Sequence, residues 1–226
     1  MNELVHSRRR TVRQSAAARG PTRTNDPERT MANILTVAMA EFAEKGLAGA
    51  RIDQIAGATQ TSKRMIYYYF GSKEGLYLAT LEDAYRRVRA IESELQLDEL
   101  APEQALRRLV EFSFDHHASH ESYVRLVMTE NMHRGQYLAQ SQSIQPLNEP
   151  AIAALRRLVE RGEASGAFRP GLDPVDLHAT ITALTFFNVS NRHTFGQIFQ
   201  RDFSHPDVAA QRRANIVETI LRCVRP

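Results

Sequence analysis

Residues 52–76 read IDQIAGATQTSKRMIYYYFGSKEGL, and this stretch decides the fold. Ile52, Ile55 and Ala56 make one apolar face of a short helix. A tight turn through Thr59-Gln60-Thr61 follows, and Ser62 can cap a second short helix. Ile66 and Phe70 form that helix's inward side. Tyr67, Tyr68 and Tyr69 are consecutive, so at least two of the three must face outward. A Gly-Ser-Lys-Glu junction then starts a longer helix. Two short helices joined by a tight turn are the helix-turn-helix arrangement, whose second helix enters the DNA major groove. The residue types suit that task. Lys63 and Arg64 lie in the first turn, the part that reaches base edges, and arginine pairs bidentately with guanine. Tyrosine hydroxyls reach phosphates, and ring edges meet thymine methyls. Lys73 opens the next helix within reach of a phosphate, and Arg51 is a lesser phosphate candidate.

Working outward, Asp26-Pro27 has the form of a helix start. Met31, Ile34, Leu35, Ala38 and Phe42 recur at helical spacing, and Gly46 after Lys45 reads as the stop. Three helices over 27–75 therefore suffice for a small core. Beyond Ser72 the pattern stays helical. A long helix carries Leu76, Leu81, Ala84, Tyr85, Val88, Ile91 and Leu95. Others are predicted from Ala101-Pro102, over 122–137, over 143–162 with a break at Pro146 or Pro150, over 174–195 and over 206–224. The stretch 162–174 holds three glycines and two prolines and reads as a loop. No segment reads as a strand. The predicted class is all-α: a disordered basic tail (1–26), a helix-turn-helix domain (27–75) and a helical regulatory domain (76–226).

Composition narrows the function. The net charge of +3 is uneven: Arg8, Arg9, Arg10, Arg13, Arg19 and Arg23 face only Glu3 and Asp26 in the tail. Such a tail adds salt-sensitive phosphate attraction or is merely solvated. No apolar run approaches a bilayer span, and the arginines precede no apolar signal core. The single Cys223 fits a reducing compartment, so the expected location is cytoplasmic. There is no Walker loop, dinucleotide fingerprint or nucleophile elbow. His116 and His120 share a helix face but lack a third ligand nearby, so no metal is expected. Nor is a cofactor or an enzymatic activity.

Phe42, Gly46, Ile55-Ala56, Ser62, Tyr67, Tyr69-Phe70, Ser72-Lys73-Glu74 and Leu76 at these offsets resemble the DNA-binding domain of TetR-family transcriptional regulators. The helical remainder is similar in architecture to that family's ligand-binding and dimerisation domain. Two departures stand out. Gln60 occupies the place of the turn glycine, and Arg64 that of a small residue. The resemblance implies that Tyr67, Tyr69 and Lys73 contact phosphates while Lys63, Arg64 and Tyr68 read bases. It implies a repressor, released from a palindromic operator on double-stranded DNA by a small-molecule effector. His116, Arg125, Asn131, His133, Asn188 and Asn191 are the candidate effector-binding groups, set among Phe112, Met128, Phe186 and Phe187. An arginine among aromatics suits a planar carboxylate or a heterocycle. The C-terminal half also resembles regulators of catabolic genes, which implies an aromatic or heterocyclic acid. Phe186 to Arg192 equally suits a dimer seam. The long apolar stripes of 174–195 and 206–224 predict a homodimer. Two alternatives stay open: an activator or a module controlled by a protein partner, and an enzyme with a helix-turn-helix domain.

Overall fold

In the computed structural model the described residues are 26–226; they form ten α-helices and, among them, no strand. The basic tail lies outside the described residues except for Asp26. Asp26 opens α1 (Pro27–Gly49): its carboxylate accepts from the Arg29 N–H at 3.2 Å, and Pro27 presets the first turn. Gly46 sits at φ +66, a backbone state that a side chain resists. The helix expected to stop there kinks instead and gives one further turn, ending at Ala50.

Next come α2 (Ile52–Ala58) and α3 (Lys63–Phe70). Ile34, Ala38 and Phe42 of α1, Ile55 of α2 and Ile66 of α3 meet in one core, wholly buried. Burying Ile66 contributes about 2–3 kcal/mol. The core does not end with the head. α4 (Lys73–Ser93) adds Leu76, Tyr77 and Leu81, and Leu126 of α6 (Glu121–Met132) joins them. The head is thus seated on α4 and α6.

The body consists of α5 (Pro102–Ser119), α6, α7 (Ile144–Ala164), α8 (Pro174–Ser190), α9 (Arg192–Phe199) and α10 (Pro206–Val224). Its core gathers Leu106, Val110, Leu158, Ile181 and Ile220. Four helix limits differ from the sequence pattern. The segment 122–137 loses its helix at Met132, where Arg134 and Gly135 take positive φ. There the buried Glu130 carboxylate accepts from the Tyr137 and Leu138 N–H groups at 2.9 and 3.0 Å. α7 runs through Pro146 and Pro150 without interruption; the first lies in the opening turn, and Pro150 is exposed. α7 continues past Gly162 because the Phe168 ring packs there, where a Cβ would come within 2.0 Å of it. The predicted 174–195 helix breaks at Asn191 and resumes as α9, whose Phe195 turns back against Phe187, ring centroids 5.6 Å apart.

α8 is apolar on two opposite sides. Leu177 and Ile181 are buried against the body. Val175, Ala179, Ala183 and Phe187, half a turn away, are exposed.

Candidate nucleic-acid interface and inner chamber

The outer surface of the head is α3. Ser62 caps it by accepting from the Met65 N–H at 3.2 Å. The turn before it places Gln60 at φ +52, so a non-glycine residue does adopt the left-handed backbone there. Ile66 anchors the helix inward, and this sets the rest of its surface. Lys63 and Arg64 are exposed in the first turn. Tyr67 is 45% exposed and Tyr68 78%. Tyr69 is half-buried, wedged between the rings of Tyr68 and Phe70. Four side chains able to reach DNA therefore share one face, and Tyr69 packs behind them.

Asp53 organises the flank of this face. It holds Arg51 at 2.9 Å and lies 3.9 Å from Lys63. The Arg51 guanidinium keeps its carboxyl below the usual range. Both cations are thus held beside α3 by one carboxylate that a phosphate can replace. Lys73 donates to the Ala48 carbonyl at 3.1 Å, tying the start of α4 to the end of α1.

The junction between head and body is built for close approach. Gly71 has φ +74, and Ser72 caps α4 by accepting from the Gly75 N–H at 3.0 Å. A Cβ on Gly75 would lie 2.1 Å from the Phe70 carbonyl oxygen. The end of α3 and the start of α4 therefore touch backbone to backbone.

The far half of α4 lines a half-open chamber of about 440 Å³ between α4, α5, α6 and α8, with Asn148 of α7 at its edge. Tyr85, Phe112, Tyr123 and Phe186 supply flat walls; Arg89, Glu92, His116, His117 and His178 supply charge and hydrogen bonds. Burial, reinforced by neighbouring imidazole and Arg89, lowers His116 and His117 from 6.5 to about 4. Burial lowers His178 as well. All three are neutral at physiological pH. The Thr185 hydroxyl gives its one proton to the Ile181 carbonyl at 2.8 Å, so it accepts from His117 Nδ1 at 3.1 Å. That fixes the tautomer and leaves Nε2 of His117 as an acceptor.

Of the effector-binding candidates, His116 lines this chamber, with Phe112 and Phe186 beside it. The structure does not bring the others to it. Arg125 points to α1, donating to the Ala43 and Glu44 carbonyls at 2.7 and 3.3 Å. Met128 is exposed, and Asn131 is exposed with its amide on the Val127 carbonyl. His133 lies against Tyr137. Phe187 faces Phe195, Asn188 receives the Arg212 guanidinium at 3.0 Å, and Asn191 bonds Ser190. Sequence reasoning missed Arg89, Glu92, His117, Tyr123 and His178. A signal was present: Glu92 continues the Leu81, Tyr85, Val88 stripe of α4, where an apolar residue belongs. No group of three or more potential metal ligands is clustered among the described residues. No helix among them is long and apolar enough to cross a membrane.

Comparison with known proteins gives the same two parts. Residues 34–80 match the model for bacterial regulatory proteins of the tetR family, and residues 102–220 that for a tetracyclin repressor-like C-terminal domain. The chain is 37% identical over 203 residues to the HTH-type transcriptional repressor NicS of Pseudomonas putida, covering 90% of this chain and 96% of that one. It is 36% identical over 143 residues to the HTH-type transcriptional repressor SCO4008 of Streptomyces coelicolor, covering 63% and 71%. A regulatory protein of the tetR family from Rhodococcus RHA1 shares the fold, with a TM-score of 0.68 at 23% identity over 87% of this chain and 97% of that one. A three-helix head presenting a basic, tyrosine-bearing helix, matched family models over both parts and a full-length relative agree: the chain belongs to the tetR family of bacterial regulatory proteins and is a DNA-binding transcriptional regulator, not an enzyme.

Proposed function

We propose that the protein is a cytoplasmic repressor that binds a palindromic operator as a homodimer and is released by a small molecule held in the α4–α8 chamber. The observation that carries this reading is mechanical. α4 begins against the recognition helix at Gly75 and ends in the chamber wall at Glu92. A ligand that favours one position of α4 therefore changes the position of α3, and by linkage weakens DNA binding by its differential affinity. Lys63, Arg64 and Tyr68 are the base readers in this reading. Tyr67, Tyr69 and Lys73 are the phosphate contacts, with Arg51 beside them and Ser62 capping the helix. The repressor sense is supported by the names of the two relatives. The homodimer is supported by the exposed Val175, Ala179, Ala183 and Phe187 stripe, since a helix apolar on two sides needs two partners.

Selection of the full chain on random duplex DNA, repeated at raised salt, tests the reading. An inverted repeat that persists in salt is the expected result. Binding without a recovered motif, lost in salt, would overturn it.

A further inference from the structure

Arg89 and Glu92 occupy an unusual place. Both line the inner chamber, and both line a second cavity of about 620 Å³, the groove between α4 and α7. Their ion pair is mostly buried and stands as the partition between the two spaces. Glu92 engages one terminal nitrogen of the guanidinium. Arg89 Nε is buried and has no hydrogen-bond partner among the described residues. One terminal nitrogen of this fork is taken, and the buried Nε is left without a partner. Burial also raises the Glu92 carboxyl, against the pull of Arg89, so this carboxylate is held at a cost.

The surroundings select what fills the open edge. Arg89 is the one arginine or lysine lining the chamber among the described residues. Its charge bears on His116, His117 and His178, which stay neutral around it. Arg89 and Glu92 cancel in charge, and the group left without a partner is the guanidinium Nε, a donor that an anion satisfies and a cation does not. The walls beside it are the rings of Tyr85, Phe112, Tyr123 and Phe186.

We propose that the effector is a small ring-bearing monocarboxylate that takes Arg89 from Glu92. This rests on the effector reading above and adds to it a chemical class and a trigger. Glu92, once displaced, turns into the α4–α7 groove, whose lining carries Arg86 and Arg157, each already paired with an aspartate, together with Asp98 and Glu99. The partition on α4 opens, and the same helix that carries it abuts the recognition helix. The ligand's carboxylate replaces a carboxylate, so the charge beside Arg89 is unchanged and the change is one of geometry.

The test uses the full chain and its selected operator. Benzoate, phenylacetate and 2-naphthoate are each compared with the matching neutral amide and with benzylamine, by calorimetry and by operator release. The acids are expected to bind at least about tenfold tighter than the amides, as a charge-assisted bidentate pair requires. Glu92→Gln removes the competitor and should tighten benzoate binding by about tenfold. The double change Arg89→Met with Glu92→Met removes both charges, avoiding a stranded one, and should erase the preference for acid over amide. Glu92→Gln binding benzoate no tighter than the parent would overturn the exchange. So would an acid preference that survives the double change. Release of DNA by amides or amine as readily as by acids would overturn the carboxylate class while leaving the effector reading standing. Failure of every probe, acid or neutral, to bind would count against both.

Discussion

Arg64 and Tyr67 lie one turn apart on α3, and their chemistry separates their tasks. In the proposed reading the guanidinium in the first turn reads a base edge, whereas the phenol further along meets a phosphate. Arg64→Ala is therefore expected to relax preference at one operator position by about 1–3 kcal/mol, with little change at the others. Tyr67→Ala should weaken binding on every duplex alike. Affinities across a set of single-base operator variants check both, and a uniform loss for Arg64→Ala would remove its reading role. Inside the body, His116 and His117 set a pH dependence. Each titrates near 6.5 when unfolded and at about 4 when folded. Between those values the unfolded chain binds more protons, so stability is whole above pH 6.5 and is lost as pH falls toward 4. At pH 5 the loss is on the order of 2 kcal/mol for each imidazole. Urea unfolding from pH 7.5 to 4.5 should show this slope, and replacing both histidines by glutamine should reduce it, leaving the share of His178.

Among the elements, the joint between α3 and α4 concentrates the constraint. A methyl group on Gly75 would lie 2.1 Å from the Phe70 carbonyl oxygen, which is backbone and cannot swing aside. Gly75→Ala is expected to cost about 1–3 kcal/mol and to misplace α3, so that operator affinity falls even at temperatures where the chain stays folded. Urea denaturation and operator titration of that variant check the two effects. A variant with parental stability and affinity would show that the joint yields freely. The sequence made these helices legible for local reasons. Asp26-Pro27, Ser62, Ser72 and Asp173-Pro174 mark starts by capping chemistry written within a few residues. The breaks at Met132 and Asn191 depend on side-chain contacts seven or eight residues apart, beyond the reach of a local capping signal. In one, Glu130 accepts from the Tyr137 and Leu138 N–H groups ahead of it; the other accompanies Phe195 folding onto Phe187. The exposed face of α3 was readable because Ile66 and Phe70 fix which side is inward. The chamber was not, because side chains spread over five helices, from Tyr85 to Phe186, converge on it. Arg89 and Arg125 look equally eligible until packing sends Arg125 to the Ala43 carbonyl and leaves Arg89 inside.

For the molecule as a whole, the proposed dimer would make the exposed stripe of α8 tie assembly to control. Ala179 and Ala183 belong both to that stripe and to the chamber wall. A second copy packed on the stripe would cover the wall from outside, so ligand, dimer and DNA spacing share one helix. Disrupting the seam should therefore be separable from unfolding. Phe187→Glu puts a carboxylate on the exposed apolar face, and Val175→Glu does so in the first turn, where an acid favours the helix. In the free chain Val175 is solvent-exposed and Phe187 gives up only its ring contact with Phe195, so the fold should survive. In a dimer each would bury an unpaired charge, which is strongly unfavourable. Sedimentation equilibrium should give twice 25.6 kDa for the parent and 25.6 kDa for the variants. Binding to an inverted repeat should fall by about a hundredfold or more, because the second half-site loses its tethered reader. Binding to an isolated half-site should hardly change. Variants that remain dimeric would move the seam off α8, and variants that are monomeric yet bind the full repeat at parental affinity would show that the two heads act independently.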